Sequence, residues 1–253
     1  MAAHHAEGAG VTGIGRAVGD LTITVLAIVA ATLSGAQLFA MATAAQSDYQ
    51  QLLLSVGIPA FGLLVLVTVL ALLLRWRRPS RAIVVGAAAG AVATVPLEAV
   101  RITGFRVFGS MPGDLPTLIG MRAADRMMAG PSTWSTLLGY TDHFWNGAAF
   151  GIIYALLLGG FPHRWRAWSG AVLGGGYGVV LGIGFATGPV PLALGVGGVF
   201  GTVSVVAFHT TVYLAHLAFG LTLGALVHRF GKDLAPAWSP VLTVLRRIRL
   251  SGG

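Results

Sequence analysis

Long apolar runs separated by short polar clusters dominate the pattern along this chain. Six of the runs approach or exceed the about 20 residues that a membrane-spanning helix needs. They occupy residues 21–45, 51–74, 82–105, 139–160, 168–188 and 199–228. None of them alternates apolar and polar positions, as the strands of a membrane barrel do. The pattern therefore predicts an all-α membrane bundle with six transmembrane helices.

The composition supports this class of protein. Hydrophobic residues make up 55% of the 253 residues, charged residues make up 9%, and the mean hydropathy is +0.81. A soluble domain carries about 25% charged residues, so this chain cannot cover a water-facing surface. The sequence contains no cysteine, which excludes disulfides, thiolate metal sites and cysteine nucleophiles.

The basic residues predict the orientation of the bundle. One side holds Arg16, Arg75, Arg77, Arg78, Arg81, Arg164, Arg166, Arg229, Lys232, Arg246, Arg247 and Arg249. The other side holds Arg101, Arg106, Arg122 and Arg126. By the positive-inside rule, the richer side is cytoplasmic, so both termini are expected in the cytoplasm and the bundle in the plasma (inner) membrane. The net charge of +8 then indicates contact with the lipid bilayer and not with nucleic acid.

The same pattern predicts the organisation of the chain. A cytoplasmic tail (1–20) precedes the six-span domain (21–230), and a basic amphipathic tail (231–253) follows it on the cytoplasmic surface, where anionic lipid attracts it. The first span ends in a small-x-small pattern at Ala42 and Ala44, which signal peptidase can cleave. Its apolar run exceeds the roughly 7–15 residues of a signal sequence, so we expect an uncleaved helix.

The outer loop, at about 106–138, is predicted to contain a short interfacial helix. Asp114 and Pro116 are typical of a helix start, and Gly130 followed by Pro131 is typical of an end. The loop also carries four of the six methionines, and thioethers are soft ligands that select Cu(I). They are Met111, Met121, Met127 and Met128. Copper handling competes here with the simpler interpretation that methionine serves as an adaptable apolar residue.

Glycines at i,i+4 spacing predict close packing of the last four spans, because small residues let helix backbones approach. The stretch GAAAG at 86–90 resembles GAVLG at 170–174, and residues 148–161 resemble 217–230. Duplicated hairpins of this kind occur in transporters. Shared glycine and alanine content is the simpler explanation, since most of the matched positions are small residues.

Four ionisable residues from three spans are expected at nearly one depth. Counting about 1.5 Å per residue from the cytoplasmic basic clusters places Arg101, His143 and His209 about 30 Å from that side of the membrane. The same count puts Glu98 about 25 Å up, roughly one turn deeper. Ionisable residues inside a membrane are functional candidates by default. We expect Glu98 to pair with Arg101 first, and with His143 or His209 second.

His143, His209 and Glu98 are the candidate ligands of a metal or haem. Imidazole suits Zn, Cu and Fe, and two histidines from separate helices can be the axial ligands of a haem b. Asp142 and Asn146 flank His143 and belong to the same polar layer. These residues predict a site for redox chemistry or metal handling.

Other interpretations of the polar residues stay open. His209, Tyr213, His216 and Tyr154 descend from the outer edge toward the midplane, and a chain of titratable groups can relay protons. This order favours a proton-linked small-molecule transporter, with a cavity lined by Glu98, Tyr154 and His216.

A third interpretation is a non-catalytic accessory subunit, whose glycine-rich faces contact a membrane-protein partner or a second copy of the chain. Structural pairing between helices is the plainest explanation of all. The sequence identifies no catalytic residue, because it offers neither a Ser-His-Asp arrangement at matching depth nor paired carboxylates for acid–base chemistry.

Overall fold

The computed structural model of the chain describes residues 2–35, 38–39, 41–42, 45, 47–111, 113–161, 167–187 and 204–251. Every regular element in these ranges is a helix, which confirms the all-α class. The helices are α1 (Ala2–Ser34), α2 (Tyr49–Leu52), α3 (Ile58–Leu73), α4 (Arg77–Arg106), α5 (Leu115–Ala123), α6 (Thr133–Leu158), α7 (Ala167–Thr187), α8 (Val205–Phe230) and α9 (Trp238–Ser251). A π-helical segment, Leu53–Gly57, joins α2 to α3.

Four helical stretches in the described part of the chain are long and apolar enough to cross a membrane. They are Gly15–Ser34, Tyr49–Leu73, Arg77–Arg106 and Val205–Phe230. Large apolar side chains lie exposed along them, including Leu66 at 54% and Val84 at 56%. Because water-soluble proteins rarely expose apolar surface on this scale, these helices indicate a membrane protein.

The two remaining predicted spans coincide with α6 and α7. Helix α7 contains a shorter apolar stretch, Trp168–Gly184, and α6 includes Asp142, His143 and Asn146 within its length. Neither helix is among the four that meet the length and hydropathy of a span. Six crossings, and the orientation of the termini, therefore stay predictions.

The first two spans begin and end at different residues from those predicted. Helix α1 begins at Ala2 and ends at Ser34, before the predicted end at residue 45. The next helix starts after Asp48, whose carboxylate accepts hydrogen bonds from the backbone N–H groups of Gln50 at 2.8 Å and Gln51 at 3.3 Å. Ala44, in the predicted cleavage pattern, lies outside the described residues.

Helix α4 has neighbours on several sides and organises the bundle. It packs against α6 and α8, and more lightly against α1 and α3. Helix α1 packs against α3, α6 and α9, while α7 packs against α8 and α5 packs against α6. The buried face of α4 recurs every three or four residues, as expected for one stripe of a helix.

Glycines bring α4 and α6 into backbone contact. A methyl group on Gly86 would overlap the carbonyl oxygen of Gly151, and one on Gly90 would overlap that of Gly147. The glycines that the sequence marks at i,i+4 spacing therefore form the crossing itself. In a membrane, burial of apolar side chains gives little driving force for helix association, because lipid is equally apolar. Close backbone contact supplies that driving force through van der Waals packing.

The α7–α8 pair repeats this crossing. Gly174 meets the carbonyl oxygen of Gly220, and Gly178 meets that of His216, as Gly86 and Gly90 meet α6. The equivalent of Gly86 is thus Gly174, about one turn beyond the position that the sequence match suggests. The α4–α6 and α7–α8 hairpins therefore share a pattern of glycine contacts as well as a similar composition.

The predicted loop helix exists as α5, but it is shorter than the sequence suggests. It starts after Asp114 with Pro116 in its first turn, as predicted, and ends at Ala123. Gly120 is in backbone contact with Ser135 of α6, so α5 is packed against the bundle. Its position at a membrane interface stays a prediction.

The predicted amphipathic tail contains helix α9. The helix leaves Leu242 and Leu245 exposed at 44% and 56%, next to exposed Arg246. The chain before it is fixed by backbone hydrogen bonds to the end of α6, from Gly160 to Leu234 and from Ala237 to Leu157, both 2.9 Å long. Attraction of this tail to anionic lipid stays a prediction.

The glycine crossing predicts a sharp contrast between two alanine substitutions. Gly90→Ala should lower the free energy of unfolding by roughly 1–3 kcal/mol, because the new methyl group forces the backbones apart. Gly176→Ala should raise it by up to about 1 kcal/mol, because its methyl group meets nothing and alanine favours the helix. Thermal unfolding of the detergent-purified protein measures both, and equal effects would contradict the crossing.

Candidate functional site

A buried ion pair lies on the bundle-facing stripe of α4. Glu98 and Arg101 are 5% and 8% exposed, although charged side chains are almost never fully buried without a partner. Arg101 Nη1 donates a hydrogen bond of 3.1 Å to Glu98 Oε1. Arg101 is therefore the expected first partner of Glu98, and α4 carries both charges inward.

Helix α6 contributes a third side chain, His143, to the ion pair of Glu98 and Arg101. Its start is fixed by a capping box between Ser132 and Ser135, and about two turns later His143 faces α4. His143 Nε2 lies 2.7 Å from Glu98 Oε1. The two atoms are within hydrogen-bonding distance, and the contact is an ion pair when the imidazole is protonated.

The Glu98 cluster, made of Glu98, Arg101 and His143, is electrically balanced in one protonation state. The guanidinium is permanently charged, so the cluster is neutral when the imidazole is neutral. Protonation of either His143 or Glu98 adds one positive charge to the cluster. The three side chains are 7%, 9% and 12% exposed, for Glu98, Arg101 and His143 respectively. At this burial a change of charge is costly and must be met by a counter-charge or by movement.

A second polar group lies beside His143 on α6. Asn146 Nδ2 donates a hydrogen bond of 3.1 Å to Asp142 Oδ2, and the Tyr49 hydroxyl also contacts this carboxylate. The indole of Trp145 donates a hydrogen bond of 2.7 Å to the carbonyl of Ser34. These contacts fix α6 against α1 and the start of the second span. The membership of Asp142 and Asn146 in a polar layer at one membrane depth stays a prediction.

Helix α8 supplies the other residues of the predicted layer. The rings of His209 and Tyr213 lie 6.0 Å apart, and Nε2 of His209 has no hydrogen-bond partner in the described part of the chain. His216 Nδ1 lies 2.8 Å from the carbonyl oxygen of Val212.

The lower end of the predicted relay meets α7. The ring of Tyr154 lies 5.2 Å from that of Tyr177, whose hydroxyl donates a hydrogen bond of 3.2 Å to the carbonyl of Phe150. Tyr177 was not expected here, because a count of depth along each helix says nothing about which faces meet. The two tyrosines tie the first hairpin to the second.

The three candidate ligands do not form a metal-binding group. Across the described ranges, which include all three, no set of three or more His, Asp or Glu side chains converges closely enough to hold an ion. His143 meets Glu98, but His209 does not complete a site with them. Haem binding stays an untested prediction.

The four loop methionines lie in different settings. Met111 is buried beside Val212, whereas Met127 is 44% exposed and Met128 is fully exposed at 101%. Met121 lies on α5, where it is partly buried. The copper prediction gains no support from this distribution.

A second ion pair, which is partly buried and which the sequence did not reveal, lies at the other end of α4. Arg78 Nη2 lies 2.6 Å from Asp20 Oδ1 of α1, and the guanidinium also contacts the hydroxyl of Thr24. Arg78 further donates to the carbonyls of Leu156 at 3.3 Å and Ala235 at 3.4 Å. The signal available in the sequence was Asp20, an acid at the border of the first apolar run and on the side of the basic clusters.

Comparison with protein-family models, with curated proteins and with solved structures finds no match for this chain.

The contacts of Arg78 predict that this arginine stabilises the fold, whereas the exposed Arg77 beside it does not. Arg78→Gln should lower the free energy of unfolding by roughly 2–3 kcal/mol, because it leaves Asp20 and two carbonyls without their charged donor. Arg77→Gln removes an exposed charge and should have little effect. Thermal unfolding in detergent compares the two variants, and an equal loss would show that the Arg78 contacts are not stabilising.

Proposed function

We propose that the protein is a proton-linked small-molecule transporter. The observation that carries the proposal is the sharing of one buried carboxylate oxygen, Glu98 Oε1, between Arg101 of its own helix and His143 of the neighbouring helix. Ionisable residues in a membrane bundle are expensive and mark ion or proton pathways. A proton that arrives at this cluster changes the attraction between α4 and α6.

The two ends of α4 support the same function. The Glu98 cluster ties α4 to α6 at one end, and the pair of Arg78 and Asp20 ties α4 to α1 at the other. Residues 78 and 98 are about 30 Å apart along a continuous helix, which is the thickness of the hydrocarbon core. Breaking and remaking contacts at alternate ends is the requirement of alternating access.

The paired hairpins also favour a transporter. Similar glycine crossings join α4 to α6 and α7 to α8, and α4 packs against α8 between them. Transporter folds commonly consist of structural repeats that rock against each other. In this proposal α6 and α7 complete six crossings, both termini are cytoplasmic, and the protein acts in the plasma membrane.

The metal and accessory interpretations have less support. A metal site needs converging ligands, which the described residues do not supply, and an accessory subunit needs no buried charge between its own helices. Metal analysis and an absorption spectrum of the purified protein distinguish a metal or haem protein from a transporter. A metal bound in stoichiometric amount, or a haem absorption band, would support the metal or haem interpretation instead.

A pH jump tests the proposal without a known substrate. Proteoliposomes on a solid-supported membrane should give a transient current when the external pH is lowered, because protons enter the Glu98 cluster inside the membrane. Glu98→Gln should abolish the current, since the amide neither carries charge nor accepts the proton. Asp233→Asn, at an exposed position of the tail, is the matched control and should keep it.

Two results would reject this function. One is a wild-type current no larger than that of empty liposomes. The other is a wild-type current that Glu98→Gln leaves unchanged in protein that is folded and reconstituted to the same level.

A further inference from the structure

The guanidinium of Arg101 has more donors than the fold uses. It carries five N–H donors, and within the described ranges it makes one hydrogen bond, to Glu98. The residue is 8% exposed, and its unused nitrogens are not among the buried side-chain atoms that lack a partner, so they keep some access to the protein surface. Donors that the fold leaves unused and accessible can bind an incoming ligand.

The partner of Arg101 can leave without losing its other contact. Arg101 Nη1 and His143 Nε2 both contact the same oxygen of Glu98, at 3.1 Å and 2.7 Å. If Glu98 moves away from Arg101, its carboxylate still has His143. The carboxylate of Glu98 therefore occupies, inside the protein, the position that an external carboxylate would take on the arginine.

We propose that Arg101 is the binding residue for a carboxylate-bearing organic anion, which displaces Glu98 from the guanidinium. The planar fork of arginine matches a carboxylate through two parallel hydrogen bonds, where Glu98 now makes one. The site holds one permanent positive charge, which matches a monoanion better than a multiply charged phosphate. The proposal rests on the proposed transport function and names its substrate class.

The charged and titratable groups around Arg101 agree with this assignment. Glu98 lies on its own helix, and His143 approaches from α6. Arg101 is the permanent cation of this cluster, and Glu98 is the acid that competes for it. Removing the acid should therefore open the site to an external carboxylate.

Calorimetric titration of the full-length protein in detergent tests the assignment. The probes are sodium acetate, benzoate and gluconate, with acetamide, benzamide and sorbitol as neutral counterparts and sodium chloride as the salt control. At least one carboxylate should bind, and its neutral counterpart should not. Glu98→Gln should tighten binding by about tenfold or more, because the internal competitor is gone.

Substitutions of arginine provide the specificity control. Arg101→Gln should abolish binding, and Arg101→Lys should weaken it by about tenfold or more, because an ammonium cannot form the paired hydrogen bonds. Arg106→Gln removes an exposed arginine at the end of the same helix and should leave binding unchanged. Where the Arg101 variants fail to fold, the comparison of Glu98→Gln with Arg106→Gln decides.

Several outcomes would overturn the assignment. They are no carboxylate binding to either the wild type or Glu98→Gln, equal binding of the neutral counterparts, or full binding by folded Arg101→Gln. Carboxylate binding by a wild-type protein that gives no pH-jump current would reject proton-linked transport and keep the anion site. A normal current without carboxylate binding would reject the anion site alone.

Discussion

The close crossing of α4 and α6 is the constraint on which the polar site depends. Gly86 and Gly90 lie against Gly151 and Gly147 so tightly that a methyl group on any of them would collide with the facing helix. Glu98 lies about two turns beyond Gly90, and His143 about one turn before Gly147 on the antiparallel partner. The crossing thus sets the distance at which the carboxylate of one helix meets the imidazole of the other. A wider separation would leave a buried charge without its second partner, which is strongly destabilising.

This arrangement connects the packing of the bundle to its proposed mechanism. Close backbone contact gives α4 a fixed pivot near its middle, and charged contacts secure it at both ends, to α1 through Arg78 and to α6 through Glu98. The ion pairs of α4 therefore lie at the two places where movement would be needed. The apolar outer face of the helices can slide in lipid without the loss of any polar contact.

Sequence reasoning reached the class of the fold and most members of the site. Apolar length identifies the helices, and depth counting along straight helices places Glu98, Arg101 and His143 within about one turn of each other. The structure brings these three side chains into contact. Depth counting could not predict that His209 does not converge with Glu98 and His143. It gives the depth of a residue in the membrane and not the direction in which its side chain faces. The same limit hid Tyr177 and the pair of Asp20 and Arg78, which require knowledge of which helices are neighbours. The ends of the first two spans were also missed, since they depend on local bonds such as the cap that Asp48 provides.

Infrared difference spectroscopy of the purified protein on acidification tests the central claim, that Glu98 is a protonation site held between two helices. The account predicts a protonated-carboxyl C=O band that appears in the wild type, is missing from Glu98→Gln and shifts in frequency in His143→Gln, because the imidazole contacts the carboxylate. A spectrum that is identical in the wild type and Glu98→Gln would contradict it.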